Sequence, residues 1–199
     1  PRHIFSPALR AAFALPLALS VATLARGAEV AYELDPTHTF PSFEADHLGG
    51  LSVWRGKFNA SRGTVVLDRE AGSGRLEVVV DTASVDFGLD AMNEQARGAS
   101  LLDVARWPEA HYSGRLVDFV DGRPTGVEGE LTLRGVARPL VLELRSFKCM
   151  PHPLHGRELC GADALASFQR DDFGIDAGKD YGFDMTVSLR IQVEAVAVE

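Results

Sequence analysis

The residues with the most chemical capability in this chain fall in three places. Cys149 and Cys160 bracket the stretch MPHPLHGREL, which holds His152 and His155. Two chemistries fit that arrangement: a disulfide closing a loop, which would stabilise a fold by roughly 2–4 kcal/mol, and a Cys-His-His-Cys zinc site. Pro151 and Pro153 stiffen the loop against wrapping a small tetrahedral ion, which favours the disulfide. His38 and His47 stand near the ends of strand-like segments. Either could be a structural hydrogen-bonding residue or meet the polar group of a ligand. Arg170 precedes Asp171, Asp172 and Asp176. It could pair with them as a clamp at a rim, or meet an oxygen of a ligand. An enzymatic reading would use His47 or Asp172 as acid or base. No serine or cysteine sits in a nucleophile motif such as GxSxG, and nothing sets a carboxylate separation suited to glycoside chemistry.

The elements that must position these residues are strands. Along 181–193, YGFDMTVSLRIQV, apolar side chains fall on every second residue, which predicts a β-strand with one dry face. At a rise of roughly 3.3 Å per residue it would run about 40 Å, with Val187 at its middle. Shorter strands are expected around 30–34 and 43–48, then over 54–60, 63–68 and 75–81, separated by turns such as AGSG at 71–74. The period changes over 91–105, where Met92, Ala96, Ala99 and Leu102 have near-helical spacing until Trp107-Pro108; Gly98 allows this to be one helix or two turns broken by a loop. Strands resume at 110–120, 127–134, 140–144 and 162–170, with 149–161 read as a loop. Eight or nine strands with short connections and one helix favour an antiparallel barrel, because parallel pairs need crossover helices.

Composition narrows the function classes. The chain has 46% hydrophobic and 24% charged residues and a net charge of −8, so it resembles an ordinary globular domain and repels nucleic acid. No Gly-rich phosphate loop of the P-loop type appears. Arg2 and Arg10 precede the uncharged run AAFALPLALSVATLA at 11–25, the pattern of an export signal. The run is short of the roughly 20 residues that span a bilayer, and Pro16 interrupts it. The reading is a cleaved signal over 1–27 and a barrel domain over 28–199, periplasmic and without a stable membrane anchor.

Several stretches, in order, resemble the YceI-like, polyisoprenoid-binding family of exported lipocalin-like barrels. They are Leu34-Asp35-Pro36-Thr37-His38-Thr39, Phe43 with His47-Leu48-Gly49, Gly56-Lys57-Phe58, and Thr82-Ala83-Ser84-Val85. The series continues with Trp107-Pro108 and Tyr112, then Gly129-Glu130-Leu131-Thr132-Leu133-Arg134-Gly135-Val136, then Phe168-Gln169-Arg170-Asp171-Asp172-Phe173-Gly174-Ile175. The resemblance implies an all-β, elongated eight-stranded antiparallel barrel with one short helix near its mouth, carrying a long isoprenoid of polyprenyl phosphate or quinone type. With no nucleophile-and-base constellation and the disulfide preferred over zinc, the reading is non-enzymatic, with no cofactor and no metal. The candidates for contact with such a tail are Phe43, His47, Leu48, Phe58, Leu102, Leu131, Phe168, Phe183, Met185, Val187 and Leu189, with His38 and Arg170 for a head group. Val78, Val80, Leu133 and Leu142 share that interior. On the residues alone, a packed core is the favoured reading of these positions, and a filled barrel acting through its surface stays open beside the carrier and the hydrolase or isomerase. The oligomeric state is open too, a homodimer included. The chain departs from the family pattern at Gly98-Ala99-Ser100-Leu101-Leu102, where a bulkier aromatic stretch is usual, so the local tunnel width is not carried over.

Overall fold

Alternating apolar and polar side chains give each strand one face that must leave water, and a twisted antiparallel sheet can hide that face by closing on itself. In the computed structural model, which describes residues 28–198, the chain does this. The strands are β1 Val30–Leu34, β2 Phe40–His47, β3 Ser52–Phe58, β4 Ser61–Asp68, β5 Ser73–Asp81 and β6 Val85–Asp86. Helix α1, Asp90–Arg97, leads to β7 Glu109–Val117, β8 Gly126–Leu133, β9 Val136–Pro151, β10 Glu158–Gln169 and β11 Thr186–Ala197. They form one 11-stranded sheet in the order β1-β4-β5-β7-β8-β9-β10-β11-β2-β3-β6. Pairing of β1 with the C-terminal end of β11, Leu34 opposite Ala195, closes eight of them into the expected barrel. The N-terminal half of β11 pairs instead with β2, Val187 opposite Ala45, so β2, β3 and β6 extend the wall on that side. The export-signal segment 1–27 lies outside the described residues.

Several elements differ from the sequence expectation. The last strand starts at Thr186 rather than 181 and continues to Ala197. Gly178 and Gly182, with φ of 84° and 80°, bracket a single helical turn, and the Asp184 carboxylate then takes the Thr186 amide at 2.8 Å. The apolar alternation of Tyr181, Phe183 and Met185 is therefore coincidental, and Val187 is the second residue of its strand, not the middle. The longest strand is β9, 16 residues. The 149–161 segment is mostly strand, with β9 and β10 paired as far as Pro151 opposite Glu158. Its alternation is masked in the sequence because the register steps between Asp163 and Ala164: Leu144 pairs with Ala164 and Ser146 with Asp163, leaving Arg145 as a bulged extra residue. Inward positions thus change from Leu140, Leu142 and Leu144 to Phe147. The helix stops at Arg97, with Gly98 at its C-terminal cap and the following turn closed by Leu102 N–H to Ala96 O at 3.0 Å.

The outer face carries the charges. Glu44 on β2 accepts from Arg55 on β3 at 2.9 Å and from Arg190 on β11 at 2.8 Å, and Arg115 pairs with Glu128 at 3.1 Å. A membrane-spanning barrel has the opposite polarity, apolar outside. No helix among the described residues is long and apolar enough to cross a membrane.

Candidate functional site

The inward faces do not meet. They enclose a cavity of about 610 Å³, within the range of small-molecule sites, and its lining is almost wholly apolar. One reason is β10, whose inward face runs Cys160, Ala162, Ala164 before Phe168: small side chains on one wall leave width that larger neighbours do not fill. Opposite, Tyr112 lies over Gly129, where a Cβ would meet its ring at 2.6 Å, and its hydroxyl donates to Leu140 O at 2.9 Å. Glycine at that point is what lets the tyrosine lie flat against the wall. Burial pushes its phenol above the ordinary value.

One end is shut and the other is open. The shut end is built by Tyr32, Leu67, Leu116 and Val127, all buried, and Tyr32 donates its hydroxyl to Glu158 at 2.7 Å. Burial and that carboxylate push the Tyr32 phenol up to about 12. The open end is rimmed by aromatic rings: His47 lies 4.8 Å from Trp54 and 5.5 Å from Phe183, and Phe87 packs on Phe43 at 5.4 Å and on Trp54 at 6.0 Å. Asp46 ties the rim together, taking the amides of Gly49 at 2.9 Å and Gly50 at 2.6 Å within its own hairpin and of Asp184 at 2.9 Å in the loop before β11. The Asp184 bond first, then those of the two glycines, hold its carboxyl below the usual range.

Of the residues expected to touch a tail, Phe43, His47, Phe58, Leu102, Leu131, Phe168, Phe183, Val187 and Leu189 line this cavity, as do Val78, Val80, Leu133 and Leu142. Two are misplaced. Leu48 sits in the β2–β3 turn with φ of 55°, its side chain exposed outside the cavity, because the strand ends at His47. Met185 is buried yet does not line the cavity. The lining also includes Tyr32, Trp54, Phe87, Tyr112 and Leu116, beyond the contacts expected from the sequence. Trp54 shares its strand face with Phe58, so alternation already pointed to it.

His38 is not at the cavity. It stands exposed on the outer wall with Nδ1 2.7 Å from the Asp35 carboxylate. Burial works against ionisation of Asp35, but bonds from the Thr37 hydroxyl, His38 and the Thr37 amide outweigh it and hold the carboxyl down to about 2. Arg170 does line the cavity and is buried, yet the acids beside it are not its partners. Its guanidinium donates to Ile175 O at 2.9 Å and Ala177 O at 2.6 Å, drawing segment 170–177 onto the barrel end, while Asp171 pairs with Lys179 at 2.6 Å. Asp172 is exposed and lies outside the lining, so of the two residues offered as acid or base only His47 stands at the cavity. Cys149 and Cys160 face each other across β9 and β10 and form a disulfide. The zinc alternative is thereby set aside; His152 and His155 stack on each other at 3.9 Å in the hairpin turn.

The fold and cavity define a class: a closed antiparallel barrel, polar outside, with a long apolar interior open at one end. Residues 32–197 match the YceI-like domain, so the chain belongs to the YceI-like family. Among relatives, Protein YceI of Escherichia coli O6:H1 is 31% identical over 169 residues, covering 83% of this chain and 86% of that one. A UPF0312 protein of Vibrio campbellii is 28% identical over 98% of both chains. Of solved structures, Burkholderia cenocepacia BcnA superposes with a TM-score of 0.64 at 18% identity, covering 81% of this chain and 98% of that one. A polyisoprenoid binding domain from Saccharophagus degradans implicated in plant cell wall breakdown superposes at 0.60 with 22% identity, covering 85% and 99%.

Proposed function

We propose that the protein is a non-enzymatic carrier or scavenger of a long-chain isoprenoid lipid, of polyprenyl phosphate or quinone type, held in the barrel and acting in the periplasm after export. The observation that carries this reading is the continuous apolar cavity of about 610 Å³ running from the aromatic rim to Tyr32. Family membership supports it, and so does the name of the S. degradans domain. Binding is by burial: each methylene removed from water contributes about 0.8 kcal/mol, so a tail needs no polar contact to bind tightly. With water sharing of about 30 Å³ as a rough measure of one heavy atom, the space takes a segment of about 20 carbons. Longer chains would leave their ends at the rim.

A head group at the rim meets His47 and Arg170. The ion-free hydrogen bonding of Arg170 leaves its charge available there, although two of its donors are committed to the loop. Organic extraction of the purified full chain followed by mass analysis tests the proposal. A recovered isoprenoid series bound one per chain supports it. A clean protein mass that also fails to take up added isoprenoid would overturn it, and would favour a barrel acting through its surface.

A further inference from the structure

The open end carries apolar surface that neither the core nor a bound tail would use. The β2–β3 tip reads Leu48-Gly49-Gly50-Leu51-Ser52-Val53, without a charge, and presents Leu51 at 73% and Leu48 at 47% exposure. Tyr181, 80% exposed, belongs to the same rim, since Gly49 of the tip packs on the carbonyl of Gly182. Leu89, 59% exposed, stands beside Trp54 on the third side. The cavity reaches Tyr181, so its opening lies among these side chains. The exposed Leu154 at the opposite end has no such link, because buried Tyr32 shuts the cavity there.

We propose that this rim is a docking surface for a bilayer, the hairpin tip and Tyr181 entering the headgroup boundary of a zwitterionic membrane with the cavity mouth pressed against it. Docking of this kind would let a tail pass from bilayer to cavity without crossing water. That consequence rests on the carrier reading above; docking itself does not. Charge decides the kind of surface. Asp46 and Asp184 meet at the rim, and Asp90 and Asp180 neighbour Leu89 and Tyr181 in the chain, whereas the cations there are engaged, Lys179 with Asp171, Arg55 with Glu44 and Arg170 with the carbonyls of Ile175 and Ala177, and the whole chain is at −8. Such a rim offers no basic patch for anionic lipid and would be repelled by it, so attachment must come from apolar insertion, for which leucines and a tyrosine are suited. A second copy seated on the same rim would plug the opening, which argues for lipid over a dimer.

The test uses the full chain and vesicles of pure phosphatidylcholine, compared with vesicles one-third phosphatidylglycerol. Lipid-free protein should float with the phosphatidylcholine vesicles, and less with the anionic ones at low salt. Leu51→Asp should lower the vesicle-bound fraction by about tenfold and slow transfer of an isoprenoid quinone from vesicles by a similar factor. It should leave the thermal midpoint, and uptake of the same quinone from detergent, unchanged, because Leu51 lies outside the cavity. Vesicle binding without uptake of either the quinone or a polyprenyl phosphate from detergent would sink the carrier reading and leave docking standing. Docking is overturned if wild-type protein stays free of both vesicles, if Leu51→Asp transfers at the wild-type rate, or if sedimentation shows a dimer that Leu51→Asp dissociates.

Discussion

Replacing Ile191 by Trp separates a tunnel from a packed core. Ile191 lies mid-β11, opposite Ala164 on β10 and Pro41 on β2, and its side chain faces the cavity. In a filled core the larger side chain would overpack and destabilise by about 1–3 kcal/mol. Here it faces about 610 Å³ of space and a wall of alanines, so the ring can turn into the tunnel and gain apolar contact. It then takes the room of about six ligand carbons, and at about 0.8 kcal/mol each the variant should lose up to about 5 kcal/mol of tail binding, more than a thousandfold. The assays are the thermal midpoint of delipidated protein and retention of bound lipid, or titration with a fluorescent isoprenoid. A midpoint within a few degrees of wild type together with lost binding is the expected pair of results. A delipidated variant that melts far earlier, while wild-type amounts of lipid remain bound before stripping, would show that Ile191 meets packed core and that the tunnel has been misplaced.

Four further outcomes are expected. Replacing Cys149 and Cys160 together by Ala, which removes a link across 11 residues, should lower stability by about 2–4 kcal/mol in urea melts, and an unchanged midpoint would mean the β9–β10 pairing holds that end alone. Gly135, with φ of 71° in the β8–β9 turn, lies under the Trp107 ring, so Gly135→Ala should destabilise by more than the usual 1 kcal/mol for a left-handed turn position. Asp35 has a lowered carboxyl, so its contribution to stability is present above the unfolded value near 3.8 and is lost as pH falls toward 2. Thr37→Val removes a donor to that carboxylate and should start acid unfolding at higher pH by circular dichroism. His38, raised by the same carboxylate, has the opposite sign: its contribution is present below 6.5 and fades as pH rises through the raised value. Replacing it by Gln should therefore affect stability at pH 5 more than at pH 9.

The class of fold and most of the cavity wall were legible in the order of the residues. A period of two is a local property, set by the direction of successive Cβ atoms, and it placed Phe43, Leu131, Leu189 and their neighbours on inward faces before any strand had a partner. It failed where tertiary contacts override alternation. Tyr181 to Met185 alternate like a strand, but glycines with positive φ and the Asp46 and Asp184 carboxylates turn them into the rim instead. The second half of β9 hid because the bulge at Arg145 reverses the phase, a device that has meaning only against the register of β10. Partners distant in the chain were beyond local reasoning as well: Arg170 holds the carbonyls of Ile175 and Ala177 rather than adjacent acids, and His38 faces outward because β1 and β2 part on either side of it. Whether the interior was core or cavity could only be decided in three dimensions. Apolar side chains look the same from either side, and the empty volume follows from the number of strands and from the small side chains Cys160, Ala162 and Ala164 aligned along β10, not from the character of any one residue.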